Sequence, residues 1–233
     1  NNPKNWVWGE DNTGDITRVK NIKWIRKYIY TKWLINKDKP KEHNKLDLII
    51  GDGGMSPDTN SIYALQKLEL AQVINVLAYS SIGGSCVIKH FTPYIFNKPS
   101  SIKATSFFIS FIYLYYISFE EVNLFKPYTS DSTSGEFYII CKGFKGIEEK
   151  HLEKLYTILN NFKENYALFL ENVLPKTFII QINNFIKLLT NHTIAGYKKQ
   201  NYLLECYKDN INLKNIKKSN KFKKNNTNKT QSN

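Results

Sequence analysis

LDLIIGDGGMSPD, Leu46 to Asp58, carries a short apolar run directly into an aspartate held between glycines. An unbroken apolar segment closed by Gly reads as a strand, Leu46–Gly51, buried on both faces as in a parallel sheet. Asp52 then lies just beyond the carboxyl end of that strand, on a turn too tight for most side chains. Phosphate would be repelled by this carboxylate, which argues against a nucleotide-phosphate cradle. A carboxylate that faces or orders a cation suits the place.

The flanking sequence alternates helical and extended patterns. Residues 61–79 read as a helix, "SSIGG" (Ser80–Gly84) as a turn and "SCVIKHF" (Ser85–Phe91) as a second strand. A helix fits Ile102–Tyr116, a third strand Phe119–Phe125 and a fourth Glu136–Phe144. The loop between the last two strands has hairpin length, so they are predicted to pair antiparallel. Upstream, residues 21–36 place Ile22, Ile25, Ile29 and Trp33 at helical spacing, and residues 37–45 form a charged loop. From Glu148 to about Tyr207 the pattern is helical, with a break near Pro175. The end of the chain is basic, Asn-rich and poor in apolar residues, which predicts a disordered tail over residues 209–233. Strands alternating with helices imply an α/β fold with an open sheet, in which ligands bind beyond the carboxyl ends of the strands.

The composition narrows the function classes. Lys and Arg outnumber Asp and Glu by 33 to 20 in 233 residues, giving a formal charge of +13, and this excess favours a polyanionic partner, nucleic acid first. Three cysteines lie far apart with no C-x-x-C, and four histidines lack ligand spacing, so no metal site is expected. The same cysteine usage points to a reducing, intracellular setting. The most apolar run, Ser106–Phe119, is shorter than the roughly 20 residues a membrane span needs, and no membrane partner is expected.

Three polar residues are placed for chemistry. Asp52 ends the first strand of the run, Lys89 interrupts the apolar second strand, and Glu136 opens the fourth. A lysine inside an apolar strand is costly to bury unless it is paired or functional. Alternation puts Lys89 on the face opposite Ile88 and His90, within reach of Asp52 if the two strands are neighbours. Glu136, at the start of an antiparallel strand, comes to the same rim. An ordinary ion-pair cluster would use the same residues. Among the tryptophans, Trp24 and Trp33 fit core positions, whereas Trp6 and Trp8 are candidates for stacking on bases. The aromatics of "FIYLYY" (Phe111–Tyr116) read as core.

These motifs occur in the order Asp-Gly-Gly (Asp52–Gly54), Gly-Gly-x-x-x-x-Lys (Gly83–Lys89), Phe-Lys-Pro (Phe125–Pro127) and Ser-x-Glu-x-Tyr (Ser134–Tyr138). Together they resemble the FtsJ/RrmJ-type ribose 2'-O-methyltransferases, and most of all the mRNA cap-1 branch found in eukaryotes and large DNA viruses. The likeness covers roughly residues 8–145. It implies a Rossmann-like S-adenosylmethionine-dependent methyltransferase sheet with an antiparallel last strand, here truncated at the N-terminus. Residues 1–146 would be the partial methyltransferase domain, residues 147–208 a helical extension and residues 209–233 the tail. It further implies that Asp52, Lys89 and Glu136 are the last three members of a Lys-Asp-Lys-Glu catalytic tetrad. The cofactor would be S-adenosylmethionine, bound by Asp15, Ile16, Asp52 and Gly53. The family's Gly-rich cofactor loop and first lysine would lie upstream of Asn1; Lys20, Lys23 and Lys27 fall on the wrong side of that loop. The chain departs from the family where Asp131 replaces an Arg.

The implied reaction is methyl transfer to a ribose 2'-hydroxyl, with Lys89 as the base in its neutral form and the carboxylates orienting it. Nearby carboxylates favour the protonated lysine, while burial and a second lysine oppose it. The expected partner is RNA, capped mRNA first, together with other capping or transcription proteins. Alternative readings are an rRNA or tRNA 2'-O-methyltransferase and a non-catalytic RNA-binding scaffold. The Asn-, Lys- and Ile-rich composition points to an AT-rich genome such as that of a large DNA virus. The expected location is then the cytoplasm, a viral factory or the virion, or the nucleus for a cellular protein. A sheet of this type places its first strand beside Leu46–Gly51, so without that strand an open edge and poor solubility, or a compensating partner, are expected.

Overall fold

A computed structural model of the chain describes residues 6–33, 46–54, 62–92, 99–164, 167–169 and 171–227, and the side chains of residues 32–33, 99–104, 171 and 211–227 are not considered. The charged loop at residues 37–45 therefore lies outside the described residues.

The core is a four-stranded sheet in the order β1-β2-β4-β3, built from β1 (Leu46–Gly51), β2 (Ser80–Phe91), β3 (Phe119–Phe125) and β4 (Glu136–Phe144). β1 and β2 are parallel and joined by helix α2 (Ile62–Tyr79). β4 is antiparallel to both β2 and β3. Helix α1 (Val19–Tyr28), followed by a π-helical turn at Ile29–Trp33, and helix α3 (Pro99–Ser118) complete the elements before β3. Helix α4 (Glu149–Asn160), a short 3-10 turn at Glu171–Val173 and helix α5 (Lys176–Thr227) follow the sheet. This is the mixed, Rossmann-like α/β arrangement expected from the alternating pattern, with its last strand antiparallel.

Burial explains the pairing of elements. α2 is apolar on nearly every side and is buried from Leu68 to Tyr79, as such helices must be. β2 and β4 turn Cys86, Ile88 and His90, and Phe137, Ile139 and Cys141, to the covered face of the sheet. Phe107, Phe108, Phe111 and Tyr115 of α3 are also buried, whereas Tyr116 is exposed. Leu152, Leu155, Tyr156 and Leu159 of α4 form a buried stripe at helical spacing. Full burial of a side chain such as Leu70 or Ile74 is worth about 1.5–3 kcal/mol.

Four expectations are corrected. β1 is an edge strand rather than a strand covered on both faces: Leu48 is 55% exposed and Ile50 72%. Its apolar run reflects a face left open among the described residues. β2 begins at Ser80, not Ser85, because the "SSIGG" segment is absorbed as a bulge; the register steps from Leu46↔Ser80 to Leu48↔Ser85, and Gly83 adopts φ +79° to allow it. Trp24 lies at the surface, stacked on Tyr28 with ring centroids 5.2 Å apart, because the buried stripe runs through Val19 and Ile22 of α1 and Ile29 of the turn that follows it. The backbone of α5 continues to Thr227, through residues 209–227 assigned above to a disordered tail. No Gly or Pro interrupts that segment, and Lys is a good helix former.

The chain divides into two compact units. One comprises residues 1–130 and 135–187 and contains the whole sheet, and the other comprises residues 131–134 and 188–233. Within the second, Asp131 Oδ1 accepts hydrogen bonds from the Thr133 backbone N–H (2.8 Å) and the Thr133 hydroxyl (2.9 Å), an Asx turn. No described helix is long and apolar enough to cross a membrane.

Candidate active site

The β1–β2 ladder ends at Gly51↔Ile88, so Asp52 and Lys89 are the next residues on their strands. Their side chains form an ion pair through Lys89 Nζ and Asp52 Oδ1. The Lys89 side chain is 13% exposed and that of Asp52 71%, so the amine is sunk in the sheet face while the carboxylate faces solvent. A long lysine side chain can sink its aliphatic stem while its head reaches a charge at the rim, here Asp52.

β4 brings the second acid to the same face. Phe91 pairs with Glu136 and Lys89 with Tyr138. Paired residues on neighbouring strands share a face, so Lys89, Phe91, Glu136 and Tyr138 line one patch. Lys89 Nζ stands 5.7 Å from the Phe91 ring centroid. Ser130 donates to Glu136 Oε1 at 3.4 Å and itself accepts from Lys126 Nζ at 2.8 Å. The Tyr138 hydroxyl is held above its ordinary pKa, first by desolvation and then by the negative charges of Glu136 and Asp52, with Lys89 opposing. Tyr138 thus feels all three charged groups at once. The sequence placed it in the Ser-x-Glu-x-Tyr motif, two residues after Glu136 and so on the same face, but assigned it no role.

Asp15 and Ile16 occupy a separate, heavily bonded loop before α1. Asp15 Oδ1 accepts from the Thr17 N–H (2.9 Å) and hydroxyl (2.7 Å), and Oδ2 from Arg18 Nε (3.0 Å). Burial alone would raise the Asp15 pKa, but these bonds outweigh it and hold it below its ordinary value. Asn21, fully buried, donates to Asp11 Oδ1 (2.9 Å) and to the Asp15 carbonyl (3.0 Å). A Cβ at Gly9 would come within 2.5 Å of Asn21 Cγ, and φ of +80° there also favours glycine. Asp11 and Asn21 were not singled out from sequence, although the density of Asp, Asn, Thr and Gly in residues 9–21 was the available signal. Among the described residues, no hydrogen bond or ion pair links Asp15 to Asp52.

Gly53 is tied to α2. Its N–H donates to Gln72 Oε1 at 3.1 Å, and a Cβ at Gly53 would lie 2.6 Å from that oxygen. Trp6 and Trp8 are both exposed, with ring centroids 5.6 Å apart. A cavity of about 490 Å³ beside the Asp15 loop is lined by Arg18, Lys20, Lys23 and Lys67 among others, and it contains none of Asp52, Lys89 and Glu136. Among the described residues there is no group of three His, Cys, Asp or Glu side chains placed to hold a metal ion. Side chains at Trp33 lie outside the described set.

An exposed acid, a half-sunk amine, a second acid and a tyrosine on one patch can hold a hydroxylated substrate and move its proton. Comparison with known proteins shows the family. The family model for FtsJ-like methyltransferases matches residues 7–144. An uncharacterized protein of Acanthamoeba polyphaga mimivirus is 31% identical over 81% of this chain and 22% of its own length. Cap-specific mRNA (nucleoside-2'-O-)-methyltransferase 1 of Danio rerio is 33% identical over 67% of this chain and 18% of its own length. Cap-specific mRNA (nucleoside-2'-O-)-methyltransferase 2 of Mus musculus is 26% identical over 89% and 24%. The chain spans about a fifth of the length of these curated relatives. The matched region runs from the Asp15 loop through β4 and takes in every residue assigned to the site, so the chain belongs to the FtsJ-like methyltransferase family.

Proposed function

We propose that this chain carries the Asp-Lys-Glu part of the catalytic centre of an S-adenosylmethionine-dependent RNA ribose 2'-O-methyltransferase, acting on the first transcribed nucleotide of capped mRNA. The observation that carries this reading is the Asp52–Lys89 ion pair at the carboxyl end of the parallel strands, with Glu136 and Tyr138 on the same face. Residues 1–146 are the catalytic portion in this reading.

The donor set fits the cofactor. Asp52 offers an exposed carboxylate to a cationic sulfur, Gly53 leaves the turn without a side chain, and Asp15 and Ile16 sit on a rigid loop. S-adenosylmethionine, when bound, supplies an electrophilic methyl group carried on that sulfur. Lys89 Nζ, as the neutral amine, takes the proton of the ribose 2'-hydroxyl. Asp52 holds the amine in place, and Glu136 and the Tyr138 hydroxyl orient the sugar. Fixing hydroxyl and base side by side removes much of the entropic barrier, about 7–11 kcal/mol in favourable cases. The excess of basic side chains binds RNA phosphates, and Trp6 and Trp8 give an exposed aromatic surface for a base or a methylated guanine. The cap assignment draws on the likeness to the 33%-identical cap-specific relative of Danio rerio.

The test is methyl transfer from labelled S-adenosylmethionine to short RNAs by the full-length gene product. Transfer to capped and not to uncapped transcripts is expected, with Lys89→Ala lowering kcat by about 10²–10⁴-fold. Equal activity on both RNAs would redirect the substrate to rRNA or tRNA. Full activity in Lys89→Ala would remove the proposed base.

A further inference from the structure

Helix α2 buries four polar side chains at intervals of three, Gln66, Glu69, Gln72 and Asn75, in a helix whose other residues, Lys67 apart, are apolar or aromatic. Residues three apart follow one ridge of a helix. A buried polar group without a partner costs on the order of 1–3 kcal/mol, so such a row must be matched by groups outside the helix.

Three of the four are matched by main-chain groups, and those groups belong to the segments that form the site. Glu69 Oε1 accepts from the Phe91 N–H at 3.2 Å. Gln72 Oε1 accepts from the Gly53 N–H at 3.1 Å, while Gln72 Nε2 donates to the Lys89 carbonyl at 3.1 Å. Asn75 Nδ2 donates at 2.7 Å to the Ala71 carbonyl of its own helix and, more weakly, to the Ile16 carbonyl at 3.4 Å. Gln72 is the central rung. The β1–β2 ladder stops at Gly51↔Ile88, one residue short of Asp52 and Lys89. Beyond that point the main-chain ladder stops, and the side-chain amide stands in for a peptide group, accepting from one strand end and donating to the other. Gly53 has no Cβ to obstruct the approach.

We propose that Gln72 is the positioning residue of the Asp52–Lys89 pair, its amide fastening the turn that carries the acid to the strand that carries the amine. Glu69 and Asn75 do the same for Phe91 and Ile16, so that one helix sets the spacing of the cofactor loop, the Asp-Gly-Gly turn and the lysine strand. The inference rests on Asp52 and Lys89 being the reacting pair. A role confined to satisfying buried peptide groups would stabilise the fold without tuning the lysine.

The experiment uses the full-length gene product with Gln72→Leu, Gln72→Glu and, as a control on the same helix, Val73→Ala, whose side chain is fully buried in the wild type. Three quantities are measured: hydrogen exchange of the Gly53 amide, the titration of the Lys89 amine by NMR, and kcat and KM for methyl transfer. Gln72→Leu should speed Gly53 exchange, shift the Lys89 titration and lower kcat by about 10²-fold, as expected for a misplacement near 1 Å, with KM little changed. Val73→Ala should lower the melting temperature and leave the Lys89 titration in place. Gln72→Glu can imitate the amide only while its carboxyl is protonated, so its kcat relative to wild type should fall as pH rises. An unmoved Lys89 titration in Gln72→Leu, or an equal kcat loss in Val73→Ala, overturns the proposal. Should Gln72→Leu not fold, Gln72→Glu is judged by the same readouts. A wild type that transfers no methyl group would defeat the proposed reaction, while Gly53 exchange and Lys89 titration would still decide the role of Gln72.

Discussion

Replacing Glu69 by Gln should remove a descending limb from the stability–pH curve. Glu69 of α2 is fully buried against the end of β2, and desolvation raises its pKa from 4.5 to about 8, against the opposing hydrogen bond from Phe91 N–H. His90 Nδ1 stands 4.0 Å from Glu69 Oε1 and has no hydrogen-bond partner among the described residues, and desolvation lowers the His90 pKa from 6.5 to about 3. Its Nε2 lies 3.1 Å from the Tyr115 hydroxyl, and the rings of Phe111 and Phe137 flank it. The folded protein therefore keeps a protonated carboxyl beside a neutral imidazole. For Glu69 the folded state holds the extra proton between pH 4.5 and about 8, so stability falls as pH rises through that window. For His90 the unfolded state holds the extra proton between about pH 3 and 6.5, so stability rises with pH there. The two slopes cancel from pH 4.5 to 6.5. From pH 6.5 to 8 only Glu69 acts, and at about 1.4 kcal/mol per pH unit the loss is roughly 2 kcal/mol. The assay is denaturant unfolding of wild type and Glu69→Gln at closely spaced pH values, because other titrating groups cancel in the difference. The variant's own curve should rise up to pH 6.5 and then level off, so that the difference in its favour over wild type keeps growing from pH 4.5 to about 8. Parallel curves for the two proteins between pH 6.5 and 8 would refute a protonated, buried Glu69.

Gly53→Ala places a Cβ 2.6 Å from Gln72 Oε1 and should cost about 1–3 kcal/mol in unfolding free energy, together with the same loss of kcat as Gln72→Leu; normal kcat would show that the amide bridge is dispensable. Asp15→Asn loses the charge-assisted bond from Arg18 and the carboxylate assigned to the cofactor, and calorimetry should find S-adenosylmethionine bound about tenfold more weakly or worse; unchanged affinity would leave Asp15 as a loop cap only. Leu48→Thr with Ile50→Thr should reduce aggregation, read by light scattering, with little change in unfolding free energy, because both side chains already lie on the open face of an edge strand; unchanged aggregation would mean that this edge is covered.

Much of the framework was legible in the amino-acid order. Apolar segments of strand length bounded by Gly, charged or turn residues marked β1, β3 and β4 to the residue, because a strand's period and its ends are local properties. Alternation along β2 also put Lys89 on the face away from Ile88 and His90, and the motif order singled out Asp52 and Glu136 as its companions. What escaped was set by neighbours far along the chain. The exposure of Leu48 and Ile50 depends on β1 being last in the sheet, Trp24 is solvent-facing because α1 buries a different stripe, and the glycines after Tyr79 form a bulge because β1 is there to pair with it. Gln72 was invisible for the same reason. A glutamine in an apolar helix has no local meaning until Gly53 and Lys89 arrive from two strands and leave one donor and one acceptor for it to join. The chain by itself determined which residues could do chemistry, since that depends on side-chain type and strand phase. Only the tertiary structure decided which of them meet and what holds them there, since a hydrogen bond needs both partners within about 3 Å and those partners lie 17 to 19 residues apart.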